Sequence, residues 1–177
     1  DEQLSQAVLD APAKPVFVFQ HEHIKDTVYG SYDIDGWGMD TFSKVLAKYP
    51  QVVDISGHSH YPANDPRSIW QGTYTAVNDG SLAYYEFTVD NENRIHPQSN
   101  YTMCQSLMIE VDAQNRVLIR VLDANVGKFV AEYLIDNVIS PVKLKYNHTI
   151  RAEKSNAPVF AQDAKLRIKN TFGSYKV

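Results

Sequence analysis

The chain has 177 residues, with 17 Lys+Arg against 21 Asp+Glu, 44% hydrophobic residues and a single cysteine. That profile fits one globular domain, or one domain and part of another, and excludes wholesale disorder, an internal disulfide and a Cys-rich zinc site. A net charge of −4 argues against a general nucleic-acid binder, and no apolar run approaches the ~18–20 residues that cross a bilayer.

Residues 1–10 place Leu4, Val8 and Leu9 at helical spacing and predict a short amphipathic helix, broken by the two prolines of residues 11–15. Val16-Phe17-Val18-Phe19 then reads as a strand buried on both faces, running into Gln20-His21-Glu22-His23. A loop with Gly30, Gly36 and Gly38 follows. Residues 41–49 read as a helix through the stripe Phe42, Val45 and Leu46, with Pro50 ending it. Residues 51–56 are a second buried strand, ending at Gly57-His58-Ser59-His60. Strand, loop, helix and strand over residues 15–57 predict a parallel crossover.

Farther along, residues 72–78, 82–89, 106–111 and 116–122 are strand-like, and antiparallel strands are expected over residues 72–122. The last two form a hairpin around residues 112–115, because Leu107, Ile109 and Val111 alternate to match Val117, Ile119 and Val121. Through Ser140 the chain carries 9 basic and 19 acidic residues, and from Pro141 onward 8 basic and 2 acidic. That shift places a boundary between residues 1–140 and 141–177. The second segment begins polar and basic, and residues 157–160 and 165–168 look like the opening of another β unit.

Four of the six histidines form two His-x-His pairs, each following an apolar strand. Neutral imidazoles two residues apart can converge on one or two cations, and ligand sites in open α/β sheets gather at the carboxyl ends of strands. His96 and His148 lack such a setting and read as loop histidines.

Gly57-His58-Ser59-His60 after an apolar strand resembles the last metal-binding motif of the calcineurin-like metallophosphoesterases, Gly-His-x-His. Val16-Phe17-Val18-Phe19-Gln20-His21 resembles the preceding element, a hydrophobic strand ending in a ligand His. His23 stands where that family often has proline. The run from Gly57 through Tyr61-Pro62-Ala63-Asn64-Asp65-Pro66-Arg67-Ser68-Ile69 is similar to a bacterial branch of the family. The resemblance covers roughly residues 10–125. The family's upstream blocks, Asp-x-His, Gly-Asp-x-x-Asp and Gly-Asn-His, are absent here. The expected fold is therefore α/β: the carboxyl-terminal half of a two-sheet αββα sandwich, with a β-rich extension.

The resemblance implies two-metal hydrolysis of a phosphomonoester or phosphodiester, in which paired cations ~3.5–4 Å apart activate a bridging water. His21 and His58 would bind the second metal and His60 the first; Mn, Fe and Zn all suit imidazole ligands. No catalytic residue beyond these ligands is assigned. His23, Tyr61, Asn64 and Arg67 are candidate substrate-binding residues, and Trp37 and Tyr29 could line the cleft or simply cover the sheet. The implied partners are a phosphoester substrate and the missing N-terminal half of the domain, without nucleic acid or a membrane span. The fragment alone is expected to bind metal weakly and hydrolyse little. Two other readings stay open: a non-catalytic interaction module with vestigial ligands, and a protein with one mononuclear site at His21, His58 and His60. One cysteine fits the cytoplasm, whereas an appended β unit favours an extracellular or cell-surface bacterial setting.

Overall fold

The computed structural model describes residues 1–32, 37–88, 94–95, 103–139 and 145–150. The amino-terminal elements are α1 (Glu2–Asp10), β1 (Val16–Gln20), β2 (His23–Ile24), β3 (Gly38–Met39), α2 (Ser43–Leu46) and β4 (Val52–Ser56). They are followed by β5 (Ile69–Gln71), β6 (Thr75–Asn78), β7 (Phe87–Thr88), β8 (Arg94–Ile95), β9 (Gln105–Val111), β10 (Val117–Asp123) and β11 (Lys128–Ile135). The chain is a mixed α/β protein with few helices.

A four-stranded sheet of order β1-β4-β6-β5 carries the two His-x-His segments. β1 and β4 pair in parallel from Val16↔Val52 to Gln20↔Ser56, as the crossover spacing predicts. β6 also joins β4 in parallel, which corrects the expectation that strands from residue 72 onward are antiparallel. β5 closes this sheet antiparallel to β6.

A second sheet of order β11-β10-β9 is antiparallel throughout. Its hairpin register sets Val117 opposite Val111, Ile119 opposite Ile109 and Val121 opposite Leu107, the pairing the alternation demands. The turn is held by Asp112, whose carboxylate accepts from the backbone N–H groups of Gln114 and Arg116, each at 2.9 Å. β11 escaped the sequence reading because its burial is irregular and a bulge interrupts its register between Val121 and Leu122 of β10.

Strand alternation sends side chains to two cores. Val53, Ile55, Ile69 and Val77 pack with Val117, Ile119, Val121, Tyr133 and Ile135 between the sheets. On the opposite face, Val52, Ala76 and Tyr74 pack with Ile24, Val28 and Leu46, and with Leu4 of α1. The Tyr133 hydroxyl shares its proton between the carbonyls of Ala63 and Asp65, at 2.9 and 3.1 Å, tying β11 to the loop after β4.

β4 is fully buried, whereas β1 is only half-buried. β1 lies at the sheet edge, and Phe19 on it is 72% exposed although it stands in register with Ile55. The helix expected over residues 41–49 contracts to four residues. Among the described residues of the strand expected over residues 82–89, only Phe87–Thr88 pairs, and Leu82 is exposed. The 140/141 boundary and residues 157–160 and 165–168 lie outside the described residues, as does His96. No helix among the described residues is long and apolar enough to cross a membrane.

Candidate functional site

Three parallel strands end side by side, and the chain leaving each one carries a polar group. His21 follows β1, His58 follows β4 and Asp79 follows β6. Two backbone bonds extend the pairing past the strand ends: Gly57 N–H donates to the His21 carbonyl at 3.1 Å, and Asp79 N–H to the Ser56 carbonyl at 2.9 Å. The sheet therefore fixes the spacing of the residues beyond it.

His58 Nδ1 stands 2.9 Å from His21 Nε2, with ring centroids 4.7 Å apart and planes at 69°. One ring donates its N–H and the other accepts, so the contact is that of two neutral imidazoles or of a pair sharing one added proton. Both side chains are exposed. His58 (φ 70°) and His60 (φ 56°) both occupy the left-handed region. Side chains with a Cβ are strained there, and such strain persists where surrounding structure enforces it.

His60 is half-buried, its ring 4.3 Å from that of Tyr84 and its Nδ1 3.4 Å from Ser81 Oγ. Trp37 meets His58 edge-on with ring centroids 5.8 Å apart, and Tyr61 at the same distance. Among the described residues, no three or more His, Cys, Asp or Glu side chains are grouped so as to hold a metal ion by themselves.

The candidate substrate-binding residues divide by exposure. His23 and Tyr61 are fully buried and belong to the supporting layer rather than to a cleft wall. His23 Nδ1 lies 2.8 Å from Ser56 Oγ and Nε2 lies 2.7 Å from Ser59 Oγ. Burial, reinforced by His58 and His21, pushes its imidazole down to about 3, so the ring is neutral at ordinary pH. Tyr61 meets Tyr29 with ring centroids 4.0 Å apart and planes tilted by 46°. Asn64 is exposed and accepts from Gln105 Nε2 at 3.0 Å. Arg67 forks onto Asp65 at 2.9 and 2.8 Å and lies 3.6 Å over the Tyr29 ring, so an arriving anion would compete with Asp65 for it.

In the sequence Asp79 stands in Asn78-Asp79-Gly80-Ser81, a run whose composition is that of a turn. Its carboxylate oxygen lies 2.7 Å from where a Cβ on Gly57 would stand, so a side chain there would push the Asp79 carboxylate aside. Burial pushes the carboxyl up to about 6, against the lowering influence of its own backbone and of His21. The residue as a whole is exposed, with its carboxyl lying over Gly57. An acidic residue directly after an apolar strand was the available signal. It became meaningful only once β6 proved to be the third parallel strand.

No family model, curated protein or solved structure matches this chain.

Proposed function

We propose that this chain is the carboxyl-terminal part of a metal-dependent phosphoesterase domain, hydrolysing a phosphomonoester or phosphodiester with two divalent cations. The observation that carries the reading is the meeting of His21 and His58 at 2.9 Å, beyond adjacent parallel strands, with His58 and His60 held in a strained backbone conformation. Strain of this kind concentrates at functional sites.

The donor set can be tested for fit. Two imidazole nitrogens each ~2.1 Å from one cation would be roughly 3.0–3.4 Å apart for right-angled to tetrahedral ligation. The 2.9 Å separation is within a few tenths of an ångström of that span. His21 and His58 would hold one cation and His60 the other, which requires His60 to turn from Tyr84. Bound divalent cations would lower the pKa of a water and neutralise phosphoester oxygens. The imidazoles themselves are neutral donors and leave the charge of a cation uncancelled. Asp79, largely ionised above pH 6, adds negative charge near His21 that favours a cation at the pair. The edge position of β1 and the exposure of Phe19 support a missing N-terminal half that would pair with and cover this edge.

The test is hydrolysis of chromogenic phosphomonoesters and phosphodiesters by the full-length gene product with Mn, Fe or Zn, beside titration of the 177-residue chain with the same metals. Turnover lost in His58→Ala is expected of the full product, and weak metal uptake with little turnover of the chain alone. Turnover that is indifferent to His58→Ala and to chelator would refute the reading.

A further inference from the structure

Ser59, between the two histidines of Gly57-His58-Ser59-His60, points inward rather than outward. It is fully buried, and its hydroxyl lies 2.7 Å from His23 Nε2. The other ring nitrogen of His23 is 2.8 Å from Ser56 Oγ, at the end of β4. The ring thus bridges the last residue of the strand and the middle of the loop that follows it. Ser59 Oγ also accepts the Tyr61 N–H at 3.4 Å. A hydroxyl can donate once and accept twice, so either neutral tautomer of His23 bonds both serines, donating to one and accepting from the other.

A second contact closes on the same serine. Gly30, at φ +95°, approaches so closely that a Cβ there would stand 2.5 Å from Ser59 Cβ. Ser59 is gripped from one side by a hydrogen bond and from the other by backbone. Its two neighbours in sequence, His58 and His60, are both forced into the left-handed region. Two strained residues flanking one clamped residue have a simple physical account: the clamp supplies the constraint that keeps the strain from relaxing.

We propose that His23 is a positioning residue that, through Ser59, holds His58 and His60 in their strained conformations and so sets the His21–His58 contact. This rests on the metal-site reading for its purpose, but the geometric role stands on His23, Ser56, Ser59 and Gly30 alone. A glutamine or aliphatic residue at position 23 could fill the volume without spanning both serines.

The experiment compares wild type with His23→Gln, with Ser59→Ala, which keeps the ring and its packing, and with Ile119→Ala. Ile119 lies in the core between the sheets and is a control for general destabilisation. Backbone three-bond couplings at residues 58 and 60 read the φ angles, and the nuclear Overhauser effect between the His21 and His58 rings reads their contact. Zinc titration supplies a functional readout. Both clamp variants should lose the positive-φ couplings and the inter-ring contact and weaken zinc binding about 10–100-fold, the usual effect of removing a partner that orients ligands. Ile119→Ala should lower stability without changing any of the three.

Should the clamp variants keep the couplings and the ring contact, or should all three variants lose them in proportion to stability, the proposal is overturned. If the wild-type chain takes up no zinc, the metal reading suffers, while the couplings and ring contact still decide the clamp. Should His23→Gln fail to fold, Ser59→Ala carries the same comparison.

Discussion

Replacing Asp54 by asparagine is expected to change how stability depends on pH, by an amount the structure sets. Asp54 lies in the middle of β4, fully buried, with one oxygen accepting from Gln20 Nε2 at 2.7 Å and the other without a partner. Burial outweighs the Gln20 bond and pushes the carboxyl from 3.8 up to about 6. Below pH 3.8 the group is protonated both folded and unfolded, and it contributes no pH dependence. Between 3.8 and about 6 the folded protein holds a proton that the unfolded chain releases, so stability falls as pH rises. Above that window the cost is complete: about two pH units at ~1.4 kcal/mol each, or about 3 kcal/mol.

Asparagine keeps the acceptor for Gln20 and removes the charge. Its unpaired amide adds a fixed cost of about 1–3 kcal/mol that does not titrate. The measurable quantity is therefore the difference curve, variant minus wild type, from urea unfolding at intervals between pH 3.5 and 8. It should climb by about 3 kcal/mol, nearly all between pH 4 and 6.5. His23 and Asp79 titrate in both proteins and cancel. A flat difference curve would show that Asp54 ionises as easily folded as unfolded, through hydration or a compensating charge, and that burial carries no such cost.

His58→Gly should raise stability while removing a proposed ligand: relief of a left-handed φ contributes about 1 kcal/mol net of glycine's entropy cost, so the urea midpoint rises as zinc uptake disappears. A lower midpoint would mean that the His21–His58 contact outweighs the strain. Tyr133→Phe removes the hydroxyl shared by the Ala63 and Asp65 carbonyls, and should cost about 1–2 kcal/mol with the loop at residues 61–65 exchanging its amide protons faster. Unchanged exchange there would place the tether between β11 and the loop elsewhere.

Local sequence determined the elements whose signal is local. The hairpin register follows from Leu107, Ile109 and Val111 matching Val117, Ile119 and Val121, because a one-residue slip would turn every apolar side chain outward. The parallel pairing of β1 with β4 follows from a connection too long for a hairpin, and it brings His21 beside His58 as the two His-x-His pairs imply.

Only tertiary structure decided the rest. Val16-Phe17-Val18-Phe19 has the composition of a central strand, yet its place at the edge leaves Phe19 exposed, since composition carries no information about what lies alongside. His21 and His23 are the same residue type two positions apart. One meets His58 at the surface, and the other is buried between Ser56 and Ser59, because β2 turns the chain under the loop that follows β4. Asp79 gained its place over Gly57 when β6 docked in parallel beside β4. Spacing along the chain names the residues that can do chemistry. Which of them face each other, and which hold the others still, depends on contacts between segments far apart in sequence.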